Sequence, residues 1–363
     1  MKIVVMGNNA LMSGLTVHYI VLCRYLRKAG HQLLLINLND DEAKIFDVKE
    51  ITEFSIPFKP NSIFSKINKY FRIKKACKIA KAFEPNLFIA TGYGNGYCMV
   101  ASALNDSTFK FFQEVHFDPK NVALKIKMVH IYDATATQTQ GMVEVFKKNI
   151  SNKKPVSYLP CFSKEYKLNK IHPINYAEPP IRLVYFGRLE WNKGIKQFIE
   201  ATYQIFKNKS LNLEIYGKGS EENAIKKLIA NKGLQDKIFV NGFYEDEEFE
   251  NIINNCHGVI IPSVDTEGLP LVVIEAMRYG RPILCTDIGA MPEVAEINYK
   301  GMVVSGSRSQ QLVENLKLFL NRIEQKAFSA EEIHNIYSAH YSNSAFWEVW
   351  QQMLNNPHGF FYN

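Results

Sequence analysis

Short apolar blocks and amphipathic stretches alternate along most of the chain. Met1-Lys2-Ile3-Val4-Val5-Met6 and Gly258-Val259-Ile260-Ile261 are apolar runs of strand length, the pattern of strands buried on both faces. In the first half this pattern predicts strands at 2–6, 31–38, 50–54, 87–91, 109–115, 134–138 and 156–159. Helices are expected near 14–29, 63–82, 95–104 and 139–149. In the second half strands are expected at 181–187, 211–217, 237–241, 258–262, 283–286 and 302–304. The helices between and after them fall near 193–207, 220–231, 245–254, 270–279, 290–297 and 309–325. Alternation of this kind builds parallel sheets with right-handed crossovers. Two sets of about six strands each indicate an α/β chain of two Rossmann-like domains, expected over 1–163 and 178–340. A hinge is expected within Cys161–Pro180, where Pro173, Pro179, Pro180 and several lysines interrupt any periodicity. The tail 341–363 holds Phe346, Trp347, Val349, Trp350 and Met353 at helical spacing, an aromatic face that needs a core to cover it.

The densest candidate chemistry lies in Glu267-Gly268-Leu269-Pro270-Leu271-Val272-Val273-Ile274-Glu275. Pro270 suits the first turn of a helix, and Gly280-Arg281-Pro282 supplies its stop. Glu267 then sits in the loop at a strand's carboxyl end and Glu275 inside the following helix, facing the same crevice. Open α/β sheets bind nucleotides at such crevices, where a helix amino terminus offers N–H groups to phosphate. Two carboxylates there can accept hydrogen bonds from sugar hydroxyls, one on a transferred sugar and one on a ribose. Upstream, Arg188 offers a planar fork to phosphate oxygens and Lys193 a point charge, with Gly187 and Gly194 permitting close backbone approach. Preorganised charge of this kind stabilises a departing diphosphate. No Asp-x-Asp at a strand end and no His/Cys/carboxylate cluster offers a metal site, so neither a metal nor a cofactor is expected.

These segments resemble the Glu-x-x-x-x-x-x-x-Glu motif and the strand–Gly-Arg-Leu–x-x-x–Lys-Gly signature of the family 4 retaining glycosyltransferases. The resemblance covers nearly the whole chain and is sharper in its second half. It implies the GT-B fold: two Rossmann-like domains facing across a cleft, the first on the acceptor side, the second on the donor side, and the carboxy-terminal helix crossing back to the first. It implies transfer of a hexose-type sugar from a nucleotide-diphosphate sugar to a glycan or lipid-linked saccharide in surface polysaccharide or glycolipid synthesis. In that frame Arg188 and Lys193 hold the diphosphate, Glu275 the ribose, and Glu267 with the Gly268 and Leu269 amides the transferred sugar. Gly217, Gly242 and Phe243 lie at the two strand ends that frame the base. Gly14, after the first strand, offers backbone N–H groups to the donor phosphate or the acceptor, although Ser13 replaces the first glycine of the family's pair. His116 matches a histidine that reaches the transferred sugar. Pro160-Cys161-Phe162 departs from the family's Pro-Asn-Gly. Two rivals stay open: another GT-B enzyme, such as a sugar-nucleotide epimerase or phosphorylase, and a non-catalytic partner subunit.

Composition adds location. An apolar fraction of 47% with 22% charged residues fits a soluble globular protein, and no apolar run is long enough to span a bilayer. The six cysteines lack metal-ligand spacing and read as reduced thiols of a cytoplasmic protein. Residues 1–160 hold 22 Lys/Arg against 12 Asp/Glu, whereas the remainder holds 21 against 24. Much of the excess is Lys66, Lys69, Arg72, Lys74, Lys75, Lys78 and Lys81, interleaved with Phe64, Ile67, Tyr70, Phe71 and Ile73. Two readings of residues 64–81 stand side by side: a solvated helix packing on the sheet, and a peripheral contact with the inner face of an anionic membrane. Nucleic acid is not an expected partner, because no recognition motif accompanies the charge.

Overall fold

A computed structural model describes residues 1–8, 14–38, 51–56, 63–91, 95–114, 129–149, 154–165, 168, 170–176, 179–265 and 267–362. The chain forms two compact units, Met1–Glu165 with Asn343–Asn363, and Tyr166–Ser342. The first contains the strands β1 (Lys2–Asn8), β2 (Gln32–Leu38), β3 (Ile51–Ile56), β4 (Leu87–Ala90), β5 (Phe109–Glu114), β6 (Ala134–Thr137) and β7 (Val156–Tyr158). Its helices are α1 (Gly14–Lys28), α2 (Ile63–Phe83), α3 (Asn95–Ala103) and α4 (Gln140–Asn149). The strands pair in parallel in the order β3-β2-β1-β4-β5-β6-β7, one for each of the seven strands expected in this half of the chain.

In β1 the side chains Ile3, Val4, Val5 and Met6 are wholly buried, because helices cover both faces of a parallel sheet. Val4, Met6, Leu34, Phe88 and Phe112 share one core with Ile73, Ala76 and Ala80 of α2. The same unit includes α12 (Asn343–Asn355) and α13 (Pro357–Tyr362), which follow the seven helices of the second unit. Trp350 is fully buried against Phe111 and Phe162, and its indole N–H donates to the Pro160 carbonyl at 2.9 Å. Asn343 closes the arrangement by accepting from the Ser163 amide at 3.0 Å and donating to its carbonyl at 2.9 Å. Burying a large apolar side chain is worth about 1.5–3 kcal/mol, so the tail is a structural part of this unit.

The second unit holds β8 (Ile181–Phe186), β9 (Leu211–Tyr216), β10 (Ile238–Gly242), β11 (Gly258–Ile261), β12 (Ile283–Thr286) and β13 (Met302–Ser305). They pair in parallel as β10-β9-β8-β11-β12-β13. Its helices are α5 (Ile195–Asn208), α6 (Glu222–Lys232), α7 (Asp246–Asn254), α8 (Leu271–Arg278), α9 (Met291–Ile297), α10 (Ser309–Glu324) and α11 (Ala330–His340). In α5 the buried positions Ile195, Phe198, Ile199, Thr202, Ile205 and Phe206 recur every three or four residues, one face toward the sheet. Glu245 and Glu248 form a reciprocal cap at the start of α7, and Ser329 Oγ accepts from the Glu332 amide at 3.2 Å to open α11.

Two expectations need correction. The helix expected from 193 begins at Ile195; Trp191–Lys193 form a separate 3-10 turn closed by Gly194 at φ +70°. A side chain at Gly194 would overlap the Pro262 carbonyl, so the break is imposed by the neighbouring loop. The helix α11 was not expected at all. All six cysteines carry free thiols, with Cys77 and Cys98 only partly buried. No helix among the described residues is long and apolar enough to cross a membrane.

Candidate functional site

The strand order of the second unit reverses between β8 and β11. Chain connections leave these two neighbours in opposite directions, so their carboxyl-end loops part and leave a crevice. The loop after β8 carries Arg188 and Lys193; the loop after β11 carries Ser263, Glu267, Gly268 and Leu269, and leads into α8.

Lys193 donates its ammonium to Glu267 Oε1, and Ser263 Oγ donates to the same oxygen at 2.7 Å. Glu267 is only 8% exposed, so this carboxylate is held by two donors largely away from water. Thr286 Oγ1, at the end of β12, donates to the Ser263 carbonyl and fixes that residue in turn. The two loops are also joined by their backbones, Val264 N–H donating to the Asn192 carbonyl at 3.0 Å. Lys193 has three N–H donors, so its bond to Glu267 leaves others for an anion.

Arg188 is exposed. Its backbone is anchored by Tyr185, whose hydroxyl donates to the Arg188 carbonyl at 2.8 Å. Burial pushes the Tyr185 phenol above its ordinary range; the Glu267 charge adds to the rise and the Arg188 charge opposes it. Tyr185 therefore stays protonated beneath both groups and keeps donating.

The glycine cluster lies on the other side of β8. Gly187 N–H donates to the Tyr216 carbonyl at 3.0 Å, and Gly217 N–H to the Gly242 carbonyl at 2.6 Å. A side chain at Gly217 would overlap the Gly187 carbonyl. Gly187, Gly217 and Gly242 thus form one continuous lip across three strand ends. Phe243 projects from it, 62% exposed, stacked on Tyr244 with ring centroids 6.0 Å apart. Glu190 pins the lip by accepting from Ser220 Oγ at 2.7 Å and the Ser220 amide at 3.3 Å, which holds its carboxyl below the usual range.

Gly268 accepts from the Ala290 amide at 3.4 Å, and Leu269 is half-buried. Glu275 is half-buried within α8; burial raises the Tyr279 phenol, and the charges of Glu250 and Glu275 add to the rise. Gly14 opens α1 in the other unit. His116 lies outside the described residues. Among the described residues no group of three or more His, Cys, Asp or Glu could hold a metal ion.

Three contributors escaped the sequence. Ser263 looked like the end of a strand, and Tyr185 like one more apolar strand position. Gly289 follows β12 with φ +63°, and a side chain there would overlap the Glu267 carbonyl. Its only signal was a glycine three residues past a buried strand.

Residues 168–332 match the family model described as "Glycosyl transferases group 1". The alpha-D-kanosaminyltransferase of Streptomyces kanamyceticus is 28% identical over 45% of this chain and 42% of its own length. The amylovoran biosynthesis glycosyltransferase AmsK of Erwinia amylovora is 31% identical over 37% of this chain and 34% of its own. The chain thus spans well under half the length of the curated relatives it matches. Solved structures align over nearly everything. The lipopolysaccharide outer core galactosyltransferase WaaB has a TM-score of 0.74 at 17% identity, covering 98% of this chain and 100% of that one. Anabaena Alr3699/HepE in complex with UDP has a TM-score of 0.79 at 16% identity, covering 98% and 100%. The fold is GT-B, an α/β fold of two parallel-sheet domains.

Proposed function

We propose that this protein is a glycosyltransferase that moves a hexose-type sugar from a nucleotide-diphosphate sugar to a glycan or lipid-linked acceptor, with retention at the anomeric carbon. The observation that carries the reading is the Lys193–Glu267–Ser263 cluster, with Arg188 beside it, at the point where strand order reverses. The match of residues 168–332 to the group 1 glycosyl transferases supports it. Relatives named for amylovoran biosynthesis and for the lipopolysaccharide outer core support a surface polysaccharide or glycolipid as product. A solved relative bound to UDP makes a uridine nucleotide the first donor to test.

In this reading the diphosphate lies against Arg188 and the remaining donors of Lys193, on the glycine lip. Glu267 accepts from a hydroxyl of the transferred sugar, beside the Gly268 and Leu269 amides. Glu275 accepts from the ribose, and the base lies near Gly242 and Phe243. As the C1–O bond to phosphate breaks, charge grows on the leaving diphosphate where the two cations stand. The acceptor hydroxyl attacks C1 from the same face, and its proton passes to the departing phosphate oxygen. Side-chain cations, rather than a divalent ion, meet the charge. The enzyme works at the inner face of a membrane, and residues 64–81 contact it.

The test is incubation with sugar nucleotides, with and without acceptor extract, in the presence of a chelator. NMR of the product should show the donor's own anomeric configuration. An inverted product, or isomerised donor formed without any acceptor, would refute the assignment.

A further inference from the structure

Helix α2 (Ile63–Phe83) carries apolar side chains on two opposed faces. In its second half Ile73, Ala76 and Ala80 are buried in the core of the first unit. In its first half Ile63 is 73% exposed, Phe64 85%, Ile67 50%, Tyr70 46% and Phe71 62%. At about 100° per residue these five fall on one stripe, roughly 150° around the axis from the buried one. No other helix or strand among the described residues exposes more than one large apolar side chain. A stripe of this kind facing water is unfavourable unless something covers it.

What covers it follows from charge. Continued into the second half of the helix, the same exposed stripe meets Lys74, Lys78 and Lys81, all exposed. Lys74 lies 4.8 Å from the Tyr70 ring and joins the two parts. No acid occurs anywhere on the helix. One face therefore reads apolar and aromatic at its start and cationic toward its end. Nucleic acid would leave Ile63, Phe64 and Ile67 uncovered. A bilayer interface supplies acyl chains for the first part and phosphates for the second.

We infer that this face of α2 docks on membranes carrying anionic phospholipid, with Phe64, Ile67 and Phe71 entering the headgroup–acyl boundary and Lys74, Lys78 and Lys81 meeting lipid phosphates. The inference rests on the proposed function for its purpose, since a lipid-linked acceptor must be reached at a membrane, and on the helix for its evidence.

The test uses the full chain and sucrose-loaded vesicles of phosphatidylcholine alone or mixed equally with phosphatidylglycerol. Thermal shift with UDP and UDP-glucose is followed in parallel. The protein should sediment with the mixed vesicles, remain in solution with the neutral ones, and be released by added salt. Phe64→Ser with Phe71→Ser should lower partition at least about tenfold. Lys74→Gln, Lys78→Gln and Lys81→Gln should lower it about fivefold per cation. Both variants should keep the nucleotide response of the wild type. Equal sedimentation with both lipids, sedimentation with neither, or variants that bind like the wild type would overturn the inference. Vesicle binding without any nucleotide response would count against the proposed function alone.

Discussion

Lys193 donates to Glu267, 74 residues further along the chain. The pair bridges the loops after β8 and β11 where the sheet's winding changes direction, and Ser263 Oγ reaches the same oxygen at 2.7 Å. A buried carboxylate with two donors is preorganised: its orientation is set before any ligand arrives.

Breaking this cluster should cost both stability and activity. Lys193→Met leaves a buried carboxylate short of a partner, an expected loss of about 2–3 kcal/mol. Ser263→Ala removes one hydrogen bond to a charged group and should cost about 1–2 kcal/mol. In Lys193→Met with Glu267→Gln, part of the first loss should return. Urea unfolding of the wild type, Lys193→Met, Glu267→Gln and the double variant gives the coupling; strictly additive losses would mean that the pair contributes nothing.

Arg188 makes the opposite case, because it is exposed and stands over the site rather than inside it. Arg188→Ala should leave the unfolding midpoint unchanged and lower kcat by about 10²–10³, the cost of one charge-stabilising donor. Steady-state kinetics with the donor varied checks this. Unaltered turnover would remove Arg188 from its role.

The glycines separate local strain from site geometry. Gly289 and Gly233 share φ +63°, but a side chain at Gly289 would meet Glu267 and one at Gly233 meets nothing within 4 Å. Gly233→Ala should cost about 1 kcal/mol from the left-handed backbone alone and leave donor KM unchanged. Gly289→Ala should raise donor KM as well, by displacing the Glu267 loop. Equal effects of the two on KM would deny that loop its part in the donor site.

Much of this was legible in the sequence, for physical reasons. Continuous blocks such as Ile3–Met6 must be buried on both faces, so both sheets could be read from them. The Glu267 segment was legible because Pro270 and an apolar run dictate where a loop turns into a helix. What stayed hidden depends on contacts between distant residues. The Pro262 carbonyl decides that Gly194 breaks the turn from α5, and nothing near Lys193 in the sequence encodes Pro262. Tyr185 and Ser263 take their roles from Arg188 and Glu267, reached only through the fold. Helix α11 shows only Ala330, Ile333 and Tyr337 as buried positions, too sparse a pattern to stand out. For α2 the sequence left two readings open, because apolar and basic positions alone do not reveal which stripe meets the core.

Acid should weaken the first unit through His18. The Phe162 N–H donates to Nδ1 at 3.0 Å, so the ring proton sits on Nε2 and is donated to Gln113 Oε1 at 3.0 Å. Burial lowers this histidine from 6.5 to about 4, against the opposing pull of the Gln113 hydrogen bond. The unfolded chain therefore binds the proton more readily. His18's contribution is intact above about pH 6.5, falls through the window down to pH 4, and is lost below it. The loss should reach ~2 kcal/mol by pH 5 and ~3 kcal/mol at its limit. Urea midpoints between pH 7 and 5 measure the slope. His18→Leu should be less stable at pH 7 but show a shallower slope, with a remainder from His257, which burial shifts in the same direction. An unchanged slope would show that His18 does not titrate as described.

A nucleoside diphosphate group is expected to bind at the β8/β11 crevice against Arg188. Thermal shift with UDP, GDP, ADP and their sugars, in the presence of a chelator, tests it most directly. One of these series should raise the melting temperature, since a ligand at one hundred times its Kd adds about 2.7 kcal/mol. Arg188→Ala should need at least tenfold more ligand for the same shift, the cost of one charge-assisted hydrogen bond at about 1.5–3 kcal/mol. No response to any nucleotide, a response that Arg188→Ala leaves intact, or one that requires added magnesium or manganese would contradict it.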